Sequence, residues 1–226
     1  MKPRVPFKML SLPNPAFRLT AGNAALLLLD AQRFTTVRDE GLGRFASEQG
    51  IQREFQEYFD QTDAALRNMA SLLAACRQHE LRVIYSVLCA QEPDRSDLSR
   101  QLRLSGLPIP VASPSEEIRS EVAPAPGDLV LPRGTHSPFA QGPALLDALR
   151  EFGIDTIILA GMLANTTVAL TAREAADRDL GVILAWDASA SETLGWHEII
   201  KTGLVGPMIC MRTVQQVIEM LEGVRT

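Results

Sequence analysis

The stretch "AALLLLD", Ala24 to Asp30, limits the possible folds more than any other segment. Its apolar residues run without a polar alternate, so neither face is left for water. Such a strand is buried on both sides, as a parallel strand is between two layers of helices. Similar runs follow: "LRVIYSVLC" from Leu81, "GDLVLP" from Gly127, "DTIILAG" from Asp155, "GVILAWD" from Gly181 and "GPMICMR" from Gly206. Between them the spacing turns helical. From about Arg53 to His79, Phe55, Phe59, Leu66, Met69, Leu72, Leu73 and Cys76 line one face. "PALLDALREFGI", "TTVALTAREAADRD", "HEIIKTGL" and "TVQQVIEML" supply further helices. This alternation predicts an α/β fold: a three-layer α-β-α arrangement around an open, mostly parallel six-stranded sheet.

With 226 residues, 46% of them hydrophobic, the chain can form one compact domain. The expected division is an extended N-terminal arm over residues 1–22 and a domain over 23–226. The arm, with its early prolines and no long apolar run, does not read as a signal peptide. A net charge of −5 without a polybasic run argues against nucleic acid as a partner. No apolar stretch reaches membrane-spanning length, so no membrane partner is expected. Cys76, Cys89 and Cys210 sit in apolar contexts, which fits a reducing cytoplasm. The proline-rich region 90–127 reads as a long loop that shapes a pocket or an interface.

In a doubly wound sheet, ligands bind outside the carboxyl ends of the strands. The residues just past each end are therefore the candidates. They are Asp30, Gln32 and Phe34 after the first strand and Cys89 after the second. Arg133 and His136 follow the third, and Gly161 to Thr167 follow the fourth. A carboxylate beside a guanidinium can hold an anion or move a proton. Each residue also has a plainer role open to it. Asp30 could cap a turn, Gly161 could serve only a tight bend, Asp187 could hold a loop, and Cys89 could be a small buried strand residue. Three scattered histidines form no metal-ligand cluster, so no metal and no cofactor are expected.

Three blocks, "ALLLLDAQRF", "LPRGTHSPF" and "TIILAGMLANTTVALTAREAADRDLGVILAWDASAS", resemble the isochorismatase-like hydrolases in content and order. The resemblance runs from about Ala24 to Met220 and implies their Rossmann-like fold. Most members are amidases that use an Asp, a Lys and a Cys. The resemblance places the acid on Asp30, the lysine position on Arg133 and the cysteine position on Thr167. It also implies a cis peptide at Met162–Leu163. The strand-end rule adds a pocket lined by Gln32, Phe34, His136, Met162, Leu163, Ala164 and Asn165. The family's nicotinamidase branch binds a metal through His residues after the second strand. Here that stretch, "LCAQEPDRSDLSR", contains no histidine.

Two of the three positions depart from the amidase pattern. A threonine hydroxyl is a far weaker nucleophile than a thiolate, and a guanidinium cannot trade a proton as an amine does. True isochorismatases, which resemble this chain in the "GMLAN" turn, carry glycine where amidases carry the thiol. They cleave a vinyl ether and release pyruvate. The implied function is hydrolysis of a small anionic metabolite with Asp30 as general acid/base. The alternatives are a catalytically inactive member that binds a ligand or partner, and an amidase with a substitute nucleophile. The resemblance further implies a homodimer or homotetramer.

Overall fold

The computed structural model describes residues 17–204 and 206–223. The first sixteen residues of the expected arm lie outside them. Its last part packs on the domain: the Phe17 ring lies where a side chain at Gly181 would have to go.

The strands are β1 (Ala24–Leu29), β2 (Arg82–Leu88), β3 (Leu129–Arg133), β4 (Thr156–Met162), β5 (Gly181–Ala190) and β6 (Ile209–Arg212). They form one sheet in the order β3-β2-β1-β4-β5-β6, and every pairing is parallel. The expected "mostly parallel" sheet is thus wholly parallel. The helices are α1 (Arg33–Thr36), α2 (Gly41–Glu48), α3 (Gln56–Gln78), α4 (Arg100–Leu104), α5 (Pro114–Glu117), α6 (Ala144–Glu151), α7 (Ala169–Ala176), α8 (Leu194–Gly203) and α9 (Val214–Leu221).

The alternation of β1 explains its unbroken apolar run. Ala24, Leu26 and Leu28 enter a core shared with α3 and α9. Ala25, Leu27 and Leu29 enter the opposite core, shared with α6 and α7. Burying a leucine on either face stabilises by about 2 kcal/mol, so β1 belongs at the sheet centre.

The residues after β1 contain α1 and α2. The structure corrects one sequence reading. Region 90–127 is not a bare loop: it holds α4, α5 and a short 3₁₀ turn, Ser120–Val122. Its apolar residues Leu98, Leu102 and Ile109 form a third small core with Phe34 and Leu88. Single bridges pair Gln32 with Ile118 and Ala90 with Val111. The region is therefore folded against the carboxyl end of β1 and β2.

The strand order reverses between β1 and β4. There Gly161, at φ +143, lies so close to β1 that an added Cβ would sit 2.1 Å from the Leu29 carbonyl oxygen. Backbone cannot yield as a flexible side chain does. Gly161→Ala should therefore lower stability by about 3 kcal/mol, at the upper end of overpacking costs. Urea unfolding monitored by circular dichroism measures this. A loss under 0.5 kcal/mol, on the order of a neutral surface change, would show that the strands separate easily.

Candidate active site

Asp30 is the first residue past β1, and its φ of +50 turns the chain there. Its amide makes the last ladder bond, to the Ser86 carbonyl at 3.1 Å. In a continuing parallel ladder, the Leu88 N–H would next bond the Asp30 carbonyl. Instead that carbonyl accepts the Thr35 hydroxyl at 2.7 Å. The Leu88 N–H passes to two side chains, Asp30 Oδ1 at 3.1 Å and Gln32 Oε1 at 2.9 Å.

Arg133 is the last residue of β3. Its guanidinium meets the Asp30 carboxylate in a bidentate pair, Nη1 to Oδ1 at 2.6 Å and Nη2 to Oδ2 at 2.5 Å. Nη1 also donates to the Ser86 carbonyl at 3.2 Å and Nε to the His136 carbonyl at 3.3 Å. Both residues are buried, at 3% and 1% exposure. Strand β2 lies between their strands, so the side chains bridge about 10 Å, or two strand spacings. The backbone of β2 satisfies the pair from below.

The other candidate residues divide by environment. Gln32 is fully buried, and both ends of its amide are bonded to the Leu88 backbone. Phe34 belongs to the third core. Met162 is buried in the α3-side core, against which Leu163 packs. The side chains of Gln32, Phe34 and Met162 are each packed or bonded within the protein. Leu163, Ala164 and Asn165 lie in the turn, and Met162–Leu163 is cis. Residues Ala164–Val168 form a π-turn that opens α7. Thr167 is buried within it, and its carbonyl accepts the Thr171 hydroxyl at 2.7 Å. Asn165 Oδ1 is buried with no hydrogen-bond partner among the described residues. His136 is half-buried; burial first and Arg133 second push its imidazole below the usual range, so it is neutral at pH 7. Asp187 accepts the Val214 N–H at 2.8 Å, which holds the start of α9.

Two further groups carry chemistry that the sequence did not single out. Glu117 accepts the Phe34 N–H at 3.4 Å, and burial raises the affinity of its carboxyl for a proton. No local pattern in region 90–127 marks it; only the Gln32–Ile118 bridge brings it to this edge. The Ser86 hydroxyl, on the residue whose carbonyl meets Arg133, is buried and has no hydrogen-bond partner among the described residues. Among the described residues no group of His, Cys, Asp and Glu is arranged to hold a metal ion.

The family model for the isochorismatase domain matches residues 24–213. This chain belongs to the isochorismatase domain family. Enterobactin synthase component B of Escherichia coli (strain K12) is 28% identical over 137 residues, 60% of this chain and 47% of that protein. Isochorismatase of Bacillus subtilis (strain 168) is 32% identical over 134 residues, 58% of this chain and 42% of that protein. The chain spans about half the length of the curated relatives it matches. Solved structures of isochorismatase type share the fold. A cysteine hydrolase from Pseudomonas syringae pv. phaseolicola 1448A superposes with a TM-score of 0.77 at 22% identity, covering 95% of this chain and 100% of that one. N-carbamoylsarcosine amidase from Thermoplasma acidophilum gives 0.64 at 22% identity, covering 85% and 96%.

The three cysteines of this isochorismatase-family chain are free and buried. Burial pushes the Cys89 thiol up to about 11 and Cys76 to about 12; Cys210 is raised too. A thiol so placed is protonated and inert at pH 8. Native protein should therefore show no fast-reacting thiol toward a disulfide reagent at pH 8, and all three after denaturation. One fast thiol in the native state would identify a nucleophilic cysteine.

Proposed function

We propose that this chain is a hydrolase of a small anionic metabolite, that it lacks the family's nucleophilic cysteine, and that the Asp30–Arg133 pair carries the reaction. The observation that supports this most is the buried bidentate pair at the carboxyl ends of β1 and β3. Thr167 occupies the π-turn at the position the resemblance gives to the thiol, and the cysteines lie elsewhere in the core. The relative named isochorismatase points to a vinyl ether as substrate class.

The reaction follows from the groups present. A substrate carboxylate binds Arg133, whose planar fork suits bidentate recognition. Asp30, in its acid form, gives a proton to the terminal carbon of the enol ether. Water adds to the resulting oxocarbenium carbon while the Asp30 carboxylate takes its proton. The hemiketal collapses to pyruvate and an alcohol, and Asp30 ends protonated as it began. No covalent intermediate is needed, so Thr167 only lines the turn.

The test is to supply isochorismate and, separately, a panel of primary amides. Pyruvate release supports the hydrolase; ammonia instead would support an amidase with a substitute nucleophile. Asp30→Asn should lower kcat by 10²-fold or more, about the size of a general-acid contribution. Arg133→Ala should raise KM, since breaking a buried hydrogen-bonded charge pair costs roughly 2–5 kcal/mol. Thr167→Gly should retain turnover. Loss of turnover in Thr167→Gly with the fold intact, or an adduct on Thr167, would overturn this mechanism. A second reading, an inactive ligand-binding member, is favoured by the engagement of both Asp30 oxygens with Arg133. The absence of both products would support it.

We also infer a homodimer or homotetramer in the cytoplasm. No described helix is long and apolar enough to cross a membrane. Helix α8 has no buried residue and exposes Leu194 at 57%, Trp196 at 46% and Ile199 at 54%. It packs against the π-turn, from which Leu170 follows at 42% exposure. Apolar surface gathered in this way is characteristic of interfaces. Light scattering should give a multiple of the monomer mass, and the double change Trp196→Asp, Ile199→Asp should reduce it. A monomer in the unchanged protein would refute the inference.

A further inference from the structure

We propose that Gln32 is a positioning residue for Asp30: its amide shares the Leu88 N–H with the Asp30 carboxylate and so sets how firmly that carboxylate is held in its acceptor form. The proposal rests on the reading of Asp30 as the reacting group.

The geometry is specific. At the point where the β1–β2 ladder ends, Gln32 replaces it with a side-chain copy: Oε1 accepts the Leu88 N–H and Nε2 donates to the Leu88 carbonyl, each at 2.9 Å. The same N–H reaches Asp30 Oδ1 at 3.1 Å. One N–H cannot point at two oxygens at once, so each receives a weaker bond than it would alone. Gln32 is itself held rigidly. Its carbonyl accepts the amides of Thr35 and Thr36 and the hydroxyls of both, and it bridges to Ile118. Both ends of its amide are taken by the Leu88 backbone, which leaves neither end free for a substrate.

The consequence is a balance. Without the Gln32 acceptor, the Leu88 N–H would belong to Asp30 alone, which favours the carboxylate over the acid. With a second carboxylate in its place, the added negative charge would favour the acid. The other groups facing Asp30 are the same in both cases: Arg133 from β3, His136 from the loop after it, Cys89 after β2 and Tyr58 from α3.

The test uses the full chain, without substrate, labelled with ¹³C at the aspartate carboxyls. Asp30→Asn identifies the Asp30 resonance by its loss. The Asp30 titration midpoint should fall in Gln32→Met and rise in Gln32→Glu, each by about half a pH unit or more. Opposite signs separate positioning from loosening, since a loosened site would move both variants the same way. Unchanged midpoints, or two shifts of one sign, overturn the proposal. Should Gln32→Met fail to fold, Gln32→Leu takes its place in the comparison, with the same expected fall. The titration needs no turnover, so a failure of the hydrolase reading shows separately, as absent pyruvate.

Discussion

The buried pair of Asp30 and Arg133 is the constraint around which the carboxyl edge of the sheet is arranged. Two charges taken out of water cost several kcal/mol each, and their attraction offsets this only where further hydrogen bonds complete both groups. Here the completion is structural. The Ser86 and His136 carbonyls take two of the three remaining guanidinium N–H groups, and the Leu88 N–H supports the carboxylate. Each partner comes from a strand end or the residues just after it, so the pair requires β1, β2 and β3 to end at one level. The registers Leu29↔Ser86 and Leu88↔Arg133 provide that level.

The other half of the site depends on how closely β4 approaches β1. Gly161 allows that approach because it has no side chain to meet the Leu29 carbonyl. Its amide donates to the Ser189 hydroxyl at 3.2 Å, just where β5 takes up extra residues relative to β4. The β4–β5 ladder shifts register at this point, while the β1–β4 ladder runs regularly up to Leu29↔Gly161. The freed backbone forms the turn into the π-turn and α7. Asp30 and the turn are thus brought together by the reversal of strand order, as ligand sites in doubly wound sheets are.

The legible part of this molecule was its period. A continuous apolar run reads as a central strand, and α3, with its sustained helical spacing, reads as a helix. The illegible parts have physical reasons. Helix α2 opens with Gly41, Leu42 and Gly43, which are poor helix signals, and α4 and α5 are too short to show a period. Their order comes from docking on Phe34 and Leu88, a tertiary effect. The ion pair was partly legible: Asp30 and Arg133 are 103 positions apart and not on neighbouring strands, yet both are strand-end residues, and a carboxylate beside a guanidinium was read there before the family resemblance gave each a role. Gln32 shows the opposite limit. Its place after a strand suggested substrate contact, whereas its bonds are to the backbone, and no sequence pattern separates those uses.

Arginine at position 133 decides how a proton can move here. A guanidinium stays charged throughout, so Arg133 cannot relay a proton as a lysine can. The other groups facing Asp30 do not relay one readily either. Burial pushes Tyr58 and Cys89 up and His136 down, so all three are neutral near pH 7. Around Asp30, one cation then balances one anion. An anionic substrate that takes a share of Arg133 leaves this buried group with an unbalanced negative charge. On the proposed function, one proton taken up at Asp30 would restore the balance. Substrate binding itself would then supply the acid form from which the reaction starts and to which it returns, and a neutral analogue of the substrate would bind without it.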